Sequence, residues 1–211
     1  DETAARRGQL HQMKDQEIAA STVCDWSETA HSAQAAYGLI DRALAEFATS
    51  RPRSKHIQVP IAQLQADAPA AAKRAAVTDA TQIDQAQVQQ IAGMLRAARM
   101  PMFIFGGGAC AGAKAARAIL AMTGAASFAT YAARGGVDPA NPLYLGASLS
   151  RPDSATVIGQ ADLVVAVGSE LAEVDLWRHE LGHKAPLIRV DRDIEVLADQ
   201  QRASHPIQAD G

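Results

Sequence analysis

A parallel, doubly wound α/β sheet is the fold the sequence predicts for residues 85–209, and three observations carry it. Strand-length segments at 102–105, 127–130, 163–167 and 187–190 are separated by stretches long enough for helical crossovers. The first of them, Met102-Phe103-Ile104-Phe105, is apolar at every position, as a strand buried on both faces must be, and it runs straight into Gly106-Gly107-Gly108. Aromatic residues make up only 4% of the 211 positions while alanine is abundant, so helices should pack on the sheet through small side chains. The pattern is Rossmann-like.

Taken in order, residues 1–28 show no clear period. Over 30–47, Ala33, Tyr37, Ile40, Leu44 and Phe47 fall three or four apart, which makes one stripe of a helix that Thr29 could cap and Arg51-Pro52 ends. His56-Ile57-Gln58-Val59 alternates polar and apolar before Pro60 and reads as a short strand with Ile57 and Val59 inward. Its partners are not evident in the first 65 residues. Residues 66–84 read as a linker, rich in alanine with Pro69, Lys73, Arg74 and Asp79. Asp84 and Gln87 then suit a capping box for a helix with Val88, Ile91, Ala92 and Leu95 on one face. Pro101 can lead the following strand because that position needs no ladder donor. An alanine-rich helix from about Ala111 to Thr123 should close at Gly124. The segment 131–146 is a long loop, and loops beyond about 12 residues in a compact domain are usually functional. Arg151-Pro152-Asp153 starts a short helix to about 159, and Leu187-Ile188-Arg189-Val190 ends in Asp191-Arg192-Asp193. A last strand is expected near 206–208, so the central domain spans 85–211.

Open parallel sheets bind ligands beyond the carboxyl ends of their strands, which here means Gly106, Gly107, Gly108, Thr130, Gly168, Ser169 and Asp191. The glycines admit two readings: backbone N–H groups that cradle a phosphate, or tight packing alone. Asp191 could accept from ribose hydroxyls or an adenine amine, or it could be a turn acid capping the helix near Ile194. His179-Glu180-Leu181-Gly182-His183 fits H-E-x-x-H, in which two histidines one helical turn apart hold zinc. Pro186 cuts such a helix short, Lys184 places a positive charge beside the metal, and a third ligand would have to come from His205 or Asp199. The other reading is a short surface helix between two strands. Trp26 and Trp177 are expected as packing anchors.

A net charge of -3 gives no electrostatic reason to expect nucleic acid or an anionic membrane. No apolar run reaches the ~20 residues of a membrane helix. The sequence lacks a basic-then-apolar leader, and its two cysteines, Cys24 and Cys110, occupy no metal or redox spacing; a cytoplasmic location and a small buried role for both thiols are expected. The polar opening without methionine suggests a piece of a longer chain. The incomplete first 65 residues should leave apolar surface to cover, which predicts a homo-oligomer or packing onto the central domain.

Several segments together carry a resemblance. They are Gln12 with Asp15-Gln16, Arg51-Pro52 with His56-Ile57-Gln58-Val59-Pro60-Ile61, Pro101 with Gly106-Gly107-Gly108, Thr130 with Arg134-Gly135, Asn141-Pro142-Leu143 with Leu145-Gly146, Ala161-Asp162-Leu163-Val164-Val165-Ala166-Val167-Gly168, and Ile188-Arg189-Val190-Asp191. In this order they resemble the large subunit of acetolactate synthase and its thiamine-diphosphate-dependent relatives, and 7–16 looks closest to the 2-oxo-acid decarboxylase branch. The resemblance implies the later half of a pyrimidine-binding domain at 1–65 and a central domain at 85–211. It implies an enzyme that uses thiamine diphosphate and Mg2+ to decarboxylate a 2-oxo acid, then releases an aldehyde or joins the fragment to a second oxo acid. The implied catalytic cofactor sites lie mostly elsewhere, so this piece alone should be inactive. In the acetolactate synthase branch the central domain binds FAD, and the matching positions are Gly106, Gly107, Thr130, Arg134, Gly135, Gly168 and Asp191. Here Gly168-Ser169-Glu170-Leu171-Ala172-Glu173 replaces a segment with an arginine, and Gly146-Ala147-Ser148-Leu149 also departs, so FAD or ADP should bind weakly. A stand-alone nucleotide-binding module and a zinc hydrolase remain the alternatives.

Overall fold

The computed structural model describes residues 13–72 and 83–211, and the chain divides into two units, 1–80 and 81–211. The motif at 7–12 and the centre of the expected linker, with Lys73, Arg74 and Asp79, lie outside the described residues.

In the first unit α1 (Gln16–Ser21) starts at Asp15, whose carboxylate accepts from the Ile18 N–H, and leads to β1 (Trp26–Thr29). Helix α2 (Ala33–Thr49) carries the chain to β2 (Lys55–Gln58), and a single turn, α3 (Ile61–Leu64), follows. The two strands pair in parallel, Ser27 opposite His56, so this is one β-α-β turn. β1 therefore supplies the partner that the sequence did not reveal. Trp26-Ser27-Glu28-Thr29 has one apolar residue and no alternation, and polar side chains join it to β2: Ser27 Oγ and His56 Nδ1 are 2.8 Å apart, and Gln58 Nε2 donates to Thr29 Oγ1. With Thr29 inside the strand, Ser32 caps α2 in its place, accepting from the Ala35 N–H at 3.1 Å. Every β2 residue is half-buried, so the expected inward alternation of Ile57 and Val59 is absent.

Charge holds α2 to these strands. Glu46 accepts from Trp26 Nε1 at 2.9 Å and pairs with Lys55 at 2.7 Å; Lys55 also reaches Asp25, and the Arg42 guanidinium lies 4.6 Å from the Trp26 ring centre. The hydrogen bonds from Lys55 and Trp26 hold the Glu46 carboxyl at about 2, below its ordinary 4.5. Ile40, Leu44 and Phe47, the outer part of the predicted stripe, remain exposed.

The second unit begins with α4 (Gln85–Ala97), where Asp84 accepts from the Ala86 N–H at 2.9 Å. Then follow β3 (Pro101–Phe105), a six-residue 3-10 coil at Gly107–Gly112, α5 (Ala113–Thr123) and β4 (Ala126–Ala129). The chain continues through α6 (Ser154–Ile158), β5 (Leu163–Val167), α7 (Glu173–Leu176), β6 (Leu187–Asp191), α8 (Ile194–Leu197) and β7 (His205–Gln208). All five strands are parallel in the order β4-β3-β5-β6-β7, so the chain passes from one side of β3 to the other between β4 and β5. Side chains alternate across the sheet and both faces are covered. Phe103, Phe105, Leu163 and Val165 meet Ile91, Met94 and Leu95 of α4 and Ile119 of α5 on one face; Met102, Ile104, Val164 and Ala166 meet Ile158, Leu176 and Leu181 on the other. Double burial explains why these strands read as unbroken apolar runs. The architecture is the Rossmann-like α/β fold that the sequence predicts.

Two details differ from expectation. Helix α5 starts at Ala113 because the 3-10 coil occupies the preceding residues, although Gly124 closes it in the left-handed conformation (φ 61°) as predicted. The loop 131–146 opens with a 3-10 turn (Tyr131–Ala133) and then runs along the outer edge of β4. There Ser127 N–H donates to Leu143 O, Leu145 N–H to Ser127 O and Ala129 N–H to Gly146 O. The long loop covers an edge strand that would otherwise offer unpaired backbone groups.

Glu46 contributes stability that is complete above its unfolded pKa near 4.5 and is lost as pH falls toward about 2. A Glu46→Gln change should flatten the acid limb of thermal unfolding monitored at Trp26; a limb identical to that of the unchanged protein would contradict the clamp.

Candidate functional site

The carboxyl ends of β3 and β5 meet through backbone. Gly106 N–H donates to Val167 O at 2.8 Å and Gly108 N–H to Gly168 O at 3.0 Å. A Cβ on Gly106 would lie 2.1 Å from Gly168 O and 2.5 Å from the Ser169 Cβ, so only glycine fits there. Gly168 has φ 61°, and a Cβ on it would fall 2.7 Å from the Gly108 backbone. The structure thus brings Gly106, Gly108, Gly168 and Ser169 into one seam. Gly107 is exposed on its outside.

The other candidates are held by their own surroundings. Thr130 is buried and its N–H donates to Phe105 O at 2.9 Å, which ties β4 to the tip of β3. Arg134 stacks 5.5 Å from the Tyr131 ring centre, and Arg117 on α5 binds Gly136 O at 3.1 Å and Gly135 O at 3.5 Å, fixing the turn where Gly135 has φ 89°. Asp191 is buried and its Oδ1 accepts from Asp193 N–H at 2.9 Å. Asp193, not Asp191, caps α8, accepting from Glu195 N–H at 2.9 Å. Cys110, expected to be buried, is exposed, with its Sγ 3.5 Å from Ala132 O.

The residue that organises this end of the sheet is not among the sequence-predicted candidates. Arg189 is only 1% exposed. Its Nη1 donates to Asp199 Oδ1 at 2.5 Å and Gln201 O at 3.0 Å; its Nη2 donates to Ser169 O and Glu170 O, each at 3.2 Å. One guanidinium therefore joins the turn after β5 to the segment before β7. The signal was present as a charge inside an apolar strand, Leu187-Ile188-Arg189-Val190, since a buried charge needs partners. Arg178 plays a similar part with backbone alone, donating to Leu149 O, Leu176 O, Glu180 O and Leu181 O, and burial pushes its pKa down.

Two concavities border the seam. A groove of about 470 Å³ is lined by Glu170, Leu171, Glu195, Asp199, Gln200 and Gln201. A slot between Phe105, Ala109, Cys110, Ala133 and Val137 holds about 10 Å³, room for one water and no ligand.

The H-E-x-x-H segment is not helical. α7 ends at Leu176, Trp177 turns to φ 52°, and 179–183 runs in irregular backbone with Gly182 at φ 96°. Leu181 is buried in the core, while Gln201 receives the Leu181 N–H at Oε1 and donates to His179 O through Nε2. Zinc binding through this motif requires both histidines on one helix face, and the backbone here does not provide it. Burial instead lowers the pKa of His183, with Glu180 opposing. Among the described residues no three His, Cys, Asp or Glu side chains gather as metal ligands. Trp177, expected as a packing anchor, is 75% exposed because its left-handed backbone turns it outward. No described helix is long and apolar enough to cross a membrane.

Residues 88–211 match the family model of the thiamine pyrophosphate enzyme central domain. The chain belongs to this family. A Pseudomonas aeruginosa protein provisionally named 2-ketoarginine decarboxylase AruI is 36% identical over 192 residues, which cover 88% of this chain and 34% of that protein. The chain thus spans about a third of the length of this curated relative. An X-ray structure of a provisionally assigned thiamin diphosphate-dependent enzyme from Mycobacterium smegmatis superposes with a TM-score of 0.67 over 94% of this chain and 39% of that one; at 19% identity it shows the shared fold.

Replacing Arg189 by methionine leaves Ser169 O, Glu170 O and Gln201 O without their donor and Asp199 without its cation. The expected loss is about 3 kcal/mol in unfolding free energy, read from denaturant midpoints. A loss within the scatter of surface variants would remove Arg189 from the role given to it. Gly168→Ala should cost more than about 2 kcal/mol, because left-handed backbone and steric overlap add.

Proposed function

We propose that this chain is part of a thiamine-diphosphate-dependent 2-oxo-acid decarboxylase and forms its central structural layer. The observation that carries the chemistry is the 36% identity to AruI, which runs through both units of the chain. Support for a structural role of the second unit comes from the closed seam at the strand tips, where Gly106, Gly108, Thr130, Ser169 and Asp191 all satisfy one another or their own turns. Thiamine diphosphate, when bound with its Mg2+, supplies the electron sink that lets carbon dioxide leave a 2-oxo acid. In this reading its contacts belong mostly to the two thirds of such an enzyme that lie outside the matched region.

The acetolactate synthase resemblance supports a second reading, carboligation of two oxo acids. The whole enzyme carrying this chain, supplied with thiamine diphosphate and magnesium, is expected to release carbon dioxide and an aldehyde from 2-ketoarginine, with kcat/KM roughly tenfold or more above that for pyruvate. Residues 1–211 alone should release none. Efficient condensation of two pyruvates with no free aldehyde would sink the decarboxylase reading and favour the synthase.

A further inference from the structure

The flavin or adenine nucleotide that the resemblance implies needs a place at the switch point of the sheet, between the carboxyl ends of β3 and β5. That place is filled. The loops after the two strands touch backbone to backbone, with Gly106 N–H on Val167 O and Gly108 N–H on Gly168 O. The Ala109 N–H is also taken, by Gly106 O at 3.0 Å.

A phosphate cradle further requires a helix to begin at once where the strand ends, so that several free N–H groups and the positive end of the helix converge. Here six residues of 3-10 coil intervene before α5 begins at Ala113. The start of α5 is itself met by Gly211, since a Cβ on Gly112 would lie 3.4 Å from Gly211 O. Polar side chains at the rim are engaged as well: Ser169 Oγ accepts from Leu171 N–H at 3.0 Å and Asp191 Oδ1 from Asp193 N–H at 2.9 Å. Charge adds to the obstacle. Glu173 and Asp175 follow β5 with no basic residue between Gly168 and Arg178, and the one cation buried beside this turn, Arg189, is committed to Asp199 and to backbone carbonyls, so it is not available to a pyrophosphate.

We infer that the central unit binds neither flavin nor adenine nucleotide at its switch point, and that Gly106-Gly107-Gly108 with Gly168 is a backbone lock joining β3 to β5. The inference stands apart from the choice of oxo acid. The test titrates the whole enzyme with FAD and, separately, with ADP to on the order of 1 mM by calorimetry, alongside its Gly107→Val and Gly108→Ala variants. Gly107 is exposed and its Cβ would meet only the Ala132 Cβ, at 3.1 Å, which must give by a few tenths of an ångström. Valine there obstructs a ligand, and the variant's melting temperature is measured beside that of the unchanged enzyme to establish that it folds. The expected result is no saturable heat with either compound and no flavin absorbance in the purified enzyme. Gly108→Ala should lower the melting temperature equally with and without ADP. One equivalent of FAD or ADP bound by the unchanged enzyme and lost in a folded Gly107→Val variant would overturn the inference. Binding that survives Gly107→Val takes place elsewhere and leaves the lock intact.

Discussion

The carboxyl end of the central sheet depends on one buried guanidinium. Arg189 sits inside β6, excluded from water, and its four bonds run to Asp199, Gln201 O, Ser169 O and Glu170 O. Burying such a charge is unfavourable unless partners answer it; Nη1 and Nη2 each make two bonds while Nε makes none, so the loops that supply those four partners have little freedom. Ser169 is thereby fixed beside Gly168, and Gly168 in turn against Gly108. The seam between β3 and β5 follows from that placement.

In the second unit this arrangement closes the tips of β3 and β5 against each other. Where a doubly wound sheet commonly opens a crevice at its switch point, here glycines let two loops approach until their backbones bond. The absence of side chains serves contact between parts of the protein. The edge at β4 is treated in the same spirit, covered by the run from Leu143 to Gly146 and so withheld from pairing.

Much of the second unit was legible because burial on both faces leaves a plain mark. Phe103, Ile104, Val164 and Val165 are apolar since no face of their strands meets water, and Gly124 marks a helix end because only glycine takes that backbone angle without strain. The first unit was harder to read. β1 shows no period because its cohesion comes from Ser27 with His56 and Thr29 with Gln58, pairs that exist only once the strands lie side by side. The H-E-x-x-H motif admitted two readings, a zinc helix and a short surface helix, and the segment is neither: its spacing is local, but Leu181 is drawn into the core and Gly182 bends the chain away from a helix. Trp177 is outward for a related reason, since a bulky residue's position follows from the backbone angle at which the chain passes it.

What the sequence by itself determined was the order and type of the buried elements, for hydrophobic burial and glycine's freedom are written residue by residue along the chain. Only the tertiary structure decided what the strand tips do. The glycines, Ser169, Arg189 and Asp191 lie up to eighty-odd positions apart in sequence, and whether their polar groups face a ligand or one another depends on distances that no local pattern encodes.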